Sequence, residues 1–380
     1  MTAAGRSAHR PAGGVSAETQ ADRARCPLDV PAPGRLEYIV SPESNFMDST
    51  GKQRVTASEA LRGLYEPVAS ELEEVEALLQ RELSSDNPFV DRLAQHGARL
   101  GGKRLRPALV LLSAKACGGI RPEHLPLAAM VEMIPTATLI HDDVLDEATI
   151  RRHLDTVNAR WNNEVSILLG DYLLARAICL ASSLDDNFAC RAISESARHM
   201  CEGELRQIES RGNYNLSEAD YIEIIAGKTA ALTACCCGLG SHYAGAELPV
   251  CEALSRYGHD LGVAFQIADD VLDMVGEETA VGKSLGTDLL KQKATLPLIR
   301  LLGIVSPSER AEITSLLSRS GNHHRDVLRP WFERHDSISY AQERAREFTR
   351  RACGELATLP STDACRSLVG LTEFVVDRRQ

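Results

Sequence analysis

From about residue 56 onward, apolar residues recur at three- and four-residue spacing in one segment after another. Runs with the two-residue alternation of a half-buried strand are missing. A chain patterned this way can bury its apolar stripes only by packing helix on helix. In "SEALRGLYEPVASELEEVEALLQREL" Pro67 marks a kink or break. "RPALVLLSAKACGG" carries Pro107 in a first turn and ends in Gly118-Gly119. "SEADYIEIIAGKTAALTACCCGLGSHYAG" opens with Ser217 three positions before Asp220 and stops at Gly245. "CEALSRYGHDLGVAFQIADDVLDMVG" stops at Gly276, and "SYAQERAREFTRRACGELATL" is a further amphipathic helix. "VSILLGDYLLARAICLASSL" is apolar almost all round, which places it in the middle of a large bundle. The expectation is one all-α domain over residues 56–380, a helical bundle around a central cavity. Residues 1–55, rich in Pro, Gly, Ser and Ala, read as a disordered extension.

A net charge of −11 argues against a nucleic-acid partner, which needs clustered positive charge. No run approaches the ~18 apolar residues of a membrane span. The N-terminus lacks the apolar core of a secretory signal, so the expected location is cytoplasmic. Eleven cysteines, an odd number in a long chain, read as reduced thiols filling the core.

Two stretches carry charge where the pattern says core. "LIHDDVLDEATIRRH" (139–153) holds Asp142, Asp143 and Asp146; "FQIADDVLDMVG" repeats the D-D-x-x-D spacing with Asp269, Asp270 and Asp273. Helix positions four apart share a face, so Asp142 and Asp146 project together, as do Asp269 and Asp273. Unpaired carboxylates beside a core cost several kcal/mol each, on the order of a buried charge. An oxygen-only set of this kind suits a hard cation such as Mg²⁺, which keeps waters and shares a substrate phosphate.

An anionic substrate also needs cations. "GGKRLRP" (101–107) offers Lys103, Arg104 and Arg106 just before a helix start. Arg151 and Arg152 follow the first acidic motif closely, and guanidinium groups suit phosphate. "AGKTAAL" is no Walker A sequence, because Ile222 stands where that loop needs glycine; Lys228 and Thr229 still offer a cation and a hydroxyl within a helix. "VGKSLGTDLLKQKATLPL" adds Lys283 and Lys293, with Asp288 between them.

"GGKRLRP", "HDDVLDEATIRR", "GKT" and "FQIADDVLD", in this order, resemble the trans-polyprenyl diphosphate synthase family over roughly residues 56–380. The resemblance implies an isoprenoid-synthase-type all-α bundle, usually a homodimer, that condenses an allylic diphosphate with isopentenyl diphosphate. It implies Mg²⁺ held by Asp142, Asp146, Asp269 and Asp273, with Asp143, Asp270 and Lys228 completing the catalytic set. By the same likeness Arg151, Lys228, Thr229 and Gln266 contact the allylic diphosphate, and Lys103, Arg106 and Arg152 the isopentenyl diphosphate. The departing diphosphate serves as the base.

One position departs from the family. A histidine common seven residues before the first aspartate is here Pro135. Proline cannot donate a hydrogen bond and costs about 3 kcal/mol inside a helix. A kinked helix and weaker isopentenyl diphosphate binding are expected. Pro135→His should lower the Michaelis constant for that substrate, and an unchanged constant would refute the idea. Short-chain members carry a bulky aromatic one turn below the first motif. Here Ala137 and Thr138 are small, and the tail passes toward Ile134, Met133 and Met130, which favours a product of C30 or longer. A C15–C20 synthase, a terpene cyclase and a non-catalytic partner subunit are the alternatives within reach of this pattern. His141-Asp142, with His96 or His124, also fits the dipeptide of HD-type metal phosphohydrolases.

Overall fold

The computed structural model describes residues 57–100, 102–276, 285–318 and 324–377, all within one compact unit, Met47–Gln380. The expected extension at 1–55 lies outside the described residues, as do Lys283 and Gly101. In chain order the helices are α1 (Ala57–Tyr65), α2 (Ala69–Leu83), α3 (Pro88–Arg99), α4 (Leu105–Ala116), α5 (His124–Leu145), α6 (Val157–Arg160), α7 (Asn163–Ser182), α8 (Phe188–Glu209) and α9 (Glu218–Ile225). They continue with α10 (Ala231–Tyr243), α11 (Leu248–Val275), α12 (Thr287–Leu290), α13 (Leu296–Ile304), α14 (Pro307–Leu317), α15 (His324–Arg334), α16 (Ser337–Glu355) and α17 (Asp363–Val376).

The punctuation follows the sequence. Pro67 sits in a 3₁₀ turn, Glu66–Val68, between α1 and α2. Ser217 caps α9 by accepting from the Asp220 N–H, and α11 ends at Gly276. The "AGKTA" stretch, Ala226–Ala230, is a π-turn joining α9 to α10. All ten cysteines among the described residues are free thiols.

The centre of the bundle differs from expectation. It is built on α4 and α5, whose stretches Pro107–Ala114 and Leu127–Ala137 are buried without interruption. α7 lies along α5 but leaves Ile167, Leu168 and Ile178 about half exposed. Its apolar composition therefore reflects one packed face and one open face, not a central position. α11 packs against α10 and α16, and α4 against α10. A second, smaller core joins Met274 and Leu289 to Leu298, Leu301, Ile313, Leu328 and Phe332, tying the C-terminal end of α11 to α12–α15.

Two further expectations need correction. The helix at Asn163–Ser182 and the helical stretch Glu218–Tyr243 are each long and apolar enough to cross a membrane, although 39% and 50% of their most apolar windows are buried inside the bundle. The absence of strands also fails locally. Ile150–Arg151 pairs antiparallel with Leu154–Asp155, closed by Arg152 (φ 50°) and His153 (φ 62°). Two left-handed residues make a type I′ turn, which usually takes Asn-Gly, so nothing in "IRRHLD" announced it. Pro135 is buried inside an α5 that runs unbroken from His124 to Leu145.

Candidate active site

The first acidic motif closes α5, with Asp146 as its C-cap and the Asp146 N–H donating to the Asp142 carbonyl at 2.8 Å. Its three carboxylates do different things. Asp143 is 1% exposed and accepts from Arg151 Nε at 2.8 Å, while Arg151 Nη2 lies 2.7 Å from the same oxygen. The β-hairpin is what returns Arg151 to this point. Asp146 Oδ2 lies 2.5 Å from Lys291 Nζ. Burial raises the Asp142 carboxyl above its ordinary range, and the Lys228 ammonium opposes that rise.

The second motif lies in the last two turns of α11. Asp270 is buried between two donors: Tyr221 Oη at 2.7 Å to Oδ2 and Gln266 Nε2 at 2.8 Å to Oδ1. Burial and the neighbouring Asp288 push its carboxyl up to about 7, against those hydrogen bonds. The Gln266 carbonyl accepts in turn from Thr229 Oγ1 at 2.7 Å. Asp273, also buried, accepts from Thr287 Oγ1 at 3.2 Å and from the Asp288 N–H at 3.1 Å, so it caps α12. Asp269 is half buried beside it.

The two motifs face one set of cations. Lys293 Nζ lies 3.2 Å from Asp288 Oδ1. Burial alone would pull the Lys293 ammonium down, but Asp288, Asp270 and Asp146 together leave it raised. Lys291 and Lys293 thus stand between a carboxylate of the first motif and those around the second. Lys228, in the π-turn, donates to Gln207 Oε1 at 2.9 Å and pairs with Glu204 Oε2 at 2.5 Å, both on α8. A π-turn widens the helix by one residue and often marks a functional site. Gly203 admits it: a β-carbon there would fall 2.4 Å from the Lys228 backbone nitrogen.

The basic loop splits in two. Lys103 is exposed, and Arg106 is half buried with its Nε lacking a hydrogen-bond partner. Arg104 is engaged by Glu76 and Glu132. Arg152 comes beside this loop: a β-carbon on Gly102 would lie 3.6 Å from Arg152 Nη2.

Among the described residues no three His, Cys, Asp or Glu side chains form a ready set of metal ligands. Four of the six aspartates, Asp143, Asp146, Asp270 and Asp273, are instead engaged by Arg151, Lys291, Tyr221, Gln266 and Thr287. The donor set still fits a hard divalent cation. It is all oxygen, and Asp143 Oδ2 is buried with no hydrogen-bond partner. The histidines do not support a phosphohydrolase centre: His96 bonds the Asp155 carbonyl, His124 the Gly240 carbonyl and His141 the Ile167 carbonyl. Of the tail-floor candidates, Ala137, Met133 and Ile134 are 0–2% exposed and packed in the core, whereas Thr138 is half buried. Met133 also borders a cavity of about 30 Å³ with Glu76, Leu83, Thr136 and Leu173.

Lys291, Tyr221, Glu204 and Gln207 escaped the sequence reading. Lys291 and Lys293 would diverge on a helix, but Gln292 (φ 55°) breaks it and lets both reach the site. Tyr221 looks like an ordinary core aromatic, and the α8 pair has no local signature.

An all-α bundle with two aspartate-rich helix ends, lysines near both and an arginine on the first is an arrangement suited to a metal-bound diphosphate. Residues 87–333 match the polyprenyl synthetase family. The chain is 35% identical over 315 residues to an all-trans-nonaprenyl-diphosphate synthase (geranyl-diphosphate specific) of Rhodobacter capsulatus, covering 83% of this chain and 97% of that one. It is 33% identical over 321 residues to the octaprenyl diphosphate synthase of Escherichia coli, covering 84% and 99%. The crystal structure of a Caulobacter crescentus polyprenyl synthase complexed with calcium and isoprenyl diphosphate superposes with TM-score 0.80 at 34% identity, covering 84% of this chain and 98% of that one. The chain belongs to the polyprenyl synthetase family and is a prenyltransferase, of the family that lengthens prenyl diphosphates with isopentenyl diphosphate.

Proposed function

We propose that this prenyltransferase joins an allylic diphosphate head to tail with isopentenyl diphosphate, in trans, to give a long product of C30 or more. The observation that carries the site assignment is the pair Lys291 and Lys293 set between the two acidic motifs. On this reading Asp142, Asp146, Asp269 and Asp273 hold Mg²⁺, and a bound divalent ion supplies charge neutralisation of the leaving diphosphate. Lys228, Arg151, Thr229, Gln266 and Lys293 hold the same diphosphate from the protein side, favouring its departure as the allylic C–O bond breaks. Lys103, Arg106 and Arg152 anchor the second diphosphate so that the isopentenyl double bond meets the allylic carbon. The new C–C bond forms, a proton leaves for the released diphosphate, and apolar walls keep water from the cation.

Long product length is supported by the octaprenyl and nonaprenyl synthases to which the chain is similar, and by the absence of an aromatic at 137 and 138. Sizing the products made from farnesyl diphosphate and labelled isopentenyl diphosphate tests it; products ending at C15–C20 would contradict it. Thr138 is the better probe of the floor, since a Phe at the fully buried Ala137 would overpack the core by about 1–3 kcal/mol. Thr138→Phe is expected to shorten the product by several isoprene units with turnover retained. An unchanged spectrum would remove Thr138 from the tail path.

A cytoplasmic homodimer completes the proposal. The open apolar face of α7, with Ile167, Leu168 and Ile178, supports burial against a second copy. Sedimentation should return twice the 41.4 kDa chain mass, and a monomer would contradict it. Recovery in the soluble cell fraction checks the location.

A further inference from the structure

Three cations fall within four residues at the start of α4, Lys103 and Arg104 just before it and Arg106 in its first turn, and Arg152 comes beside them. Left to themselves these charges repel, and the backbone between them is not in a relaxed state. Arg104 adopts a left-handed conformation (φ 56°, ψ 30°), uncommon outside glycine, at the residue that opens the helix. Its side chain is held at three nitrogens. Nε and Nη2 make a fork onto Glu76 of α2 at 2.9 and 3.1 Å, and Nη1 donates to Glu132 of α5 at 2.8 Å. Glu132 is 5% exposed, and Arg152 lies within its electrostatic reach: a β-carbon on Gly102 would be 3.9 Å from Glu132 Oε1 and 3.6 Å from Arg152 Nη2.

We infer that Arg104 is a positioning residue, not a substrate contact: clamped between Glu76 and Glu132, it fixes the left-handed turn that aims Lys103 and Arg106 at the isopentenyl diphosphate. This rests on the function proposed above and adds to it a division of labour within "GGKRLRP". A left-handed residue redirects the chain, so whatever holds it there sets the direction of the residues on either side. The fork geometry matters because two parallel N–H bonds fix orientation as well as distance. Glu132 pairs with Arg104 and also attracts Arg152, which offsets part of the repulsion between the two guanidinium groups.

The sign of one Michaelis constant separates the two roles. If Arg104 were a ligand contact, Glu76→Gln would free it and tighten substrate binding. As a clamp, it loses its hold and the subsite loosens. Steady-state kinetics of the purified full chain, with Mg²⁺, farnesyl diphosphate and labelled isopentenyl diphosphate, are to be compared for wild type, Glu76→Gln and Arg104→Lys. The expected result is a five- to tenfold rise in KM for isopentenyl diphosphate in both variants, with KM for the allylic substrate within twofold of wild type. Arg104→Lys keeps the charge but not the fork, so it tests geometry where Arg104→Ala risks misfolding. An unchanged or lower KM for isopentenyl diphosphate, or an equal rise in both constants, would overturn the clamp. A wild-type chain with no condensation activity would instead overturn the proposed function.

Discussion

Asp142→Asn is expected to lower kcat/KM for condensation by about 10³-fold while leaving the fold as stable as before or slightly more so. The two halves of this expectation have one cause. Burial raises the Asp142 carboxyl, so a negative charge at this position is disfavoured in the folded protein despite Lys228. Asparagine removes that charge without changing the shape of the side chain, and stability at neutral pH does not suffer. Catalysis does, because on our proposal the charge exists to hold the ion that neutralises the leaving group. Thermal melts without added metal, paired with initial rates in Mg²⁺, measure both halves. A rate loss below tenfold, or a melting temperature lower by several degrees, would contradict this account of Asp142.

Gly203→Ala is expected to lower kcat/KM by about 10²-fold and to destabilise the protein by about 1–3 kcal/mol. The added methyl would fall 2.4 Å from the Lys228 backbone nitrogen, 2.9 Å from the Ile224 carbonyl oxygen and 3.0 Å from the Gly227 carbonyl carbon. All three are backbone atoms, which cannot swing aside as a side chain can, so α8 and the π-turn must separate. Lys228 moves with that turn and loses its place between Glu204 and the first acidic motif. Gly354→Ala is the control, since a β-carbon there meets nothing within 4 Å. Denaturant unfolding and steady-state kinetics on both variants check it. Equal behaviour of the two would show that the close approach at Gly203 carries no weight.

How legible was this molecule in its sequence? Helices with strong caps or stops, such as those opened by Ser217 or closed by Gly276, stand where local chemistry put them. Both acidic motifs were visible because four-residue spacing on a helix is a property of sequence alone. The basic loop was visible as charge, but the partner of Arg104 was not. Glu76 and Glu132 lie 28 positions away on either side, and only packing brings α2 and α5 to it. The hairpin that delivers Arg151 to Asp143 was missed because its turn uses Arg152 and His153 in a conformation glycine or asparagine usually supplies. Lys291 was missed for a related reason: the left-handed Gln292 that lets both Lys291 and Lys293 reach the site has no signature in the sequence. Placing α7 at the centre failed on a different ground. Apolar composition reports that a face will be covered, not by what.

The central claim is that the two acidic motifs act together on one metal-bound diphosphate. Isothermal titration of inorganic pyrophosphate, with and without Mg²⁺, should be run on wild type, Asp142→Asn, Asp269→Asn and the double variant. We expect binding that needs Mg²⁺ and is lost almost as fully in either single variant as in the double, because each motif is useless without the other. Binding indifferent to Mg²⁺, or losses that simply add, would mean that the two motifs serve separate purposes.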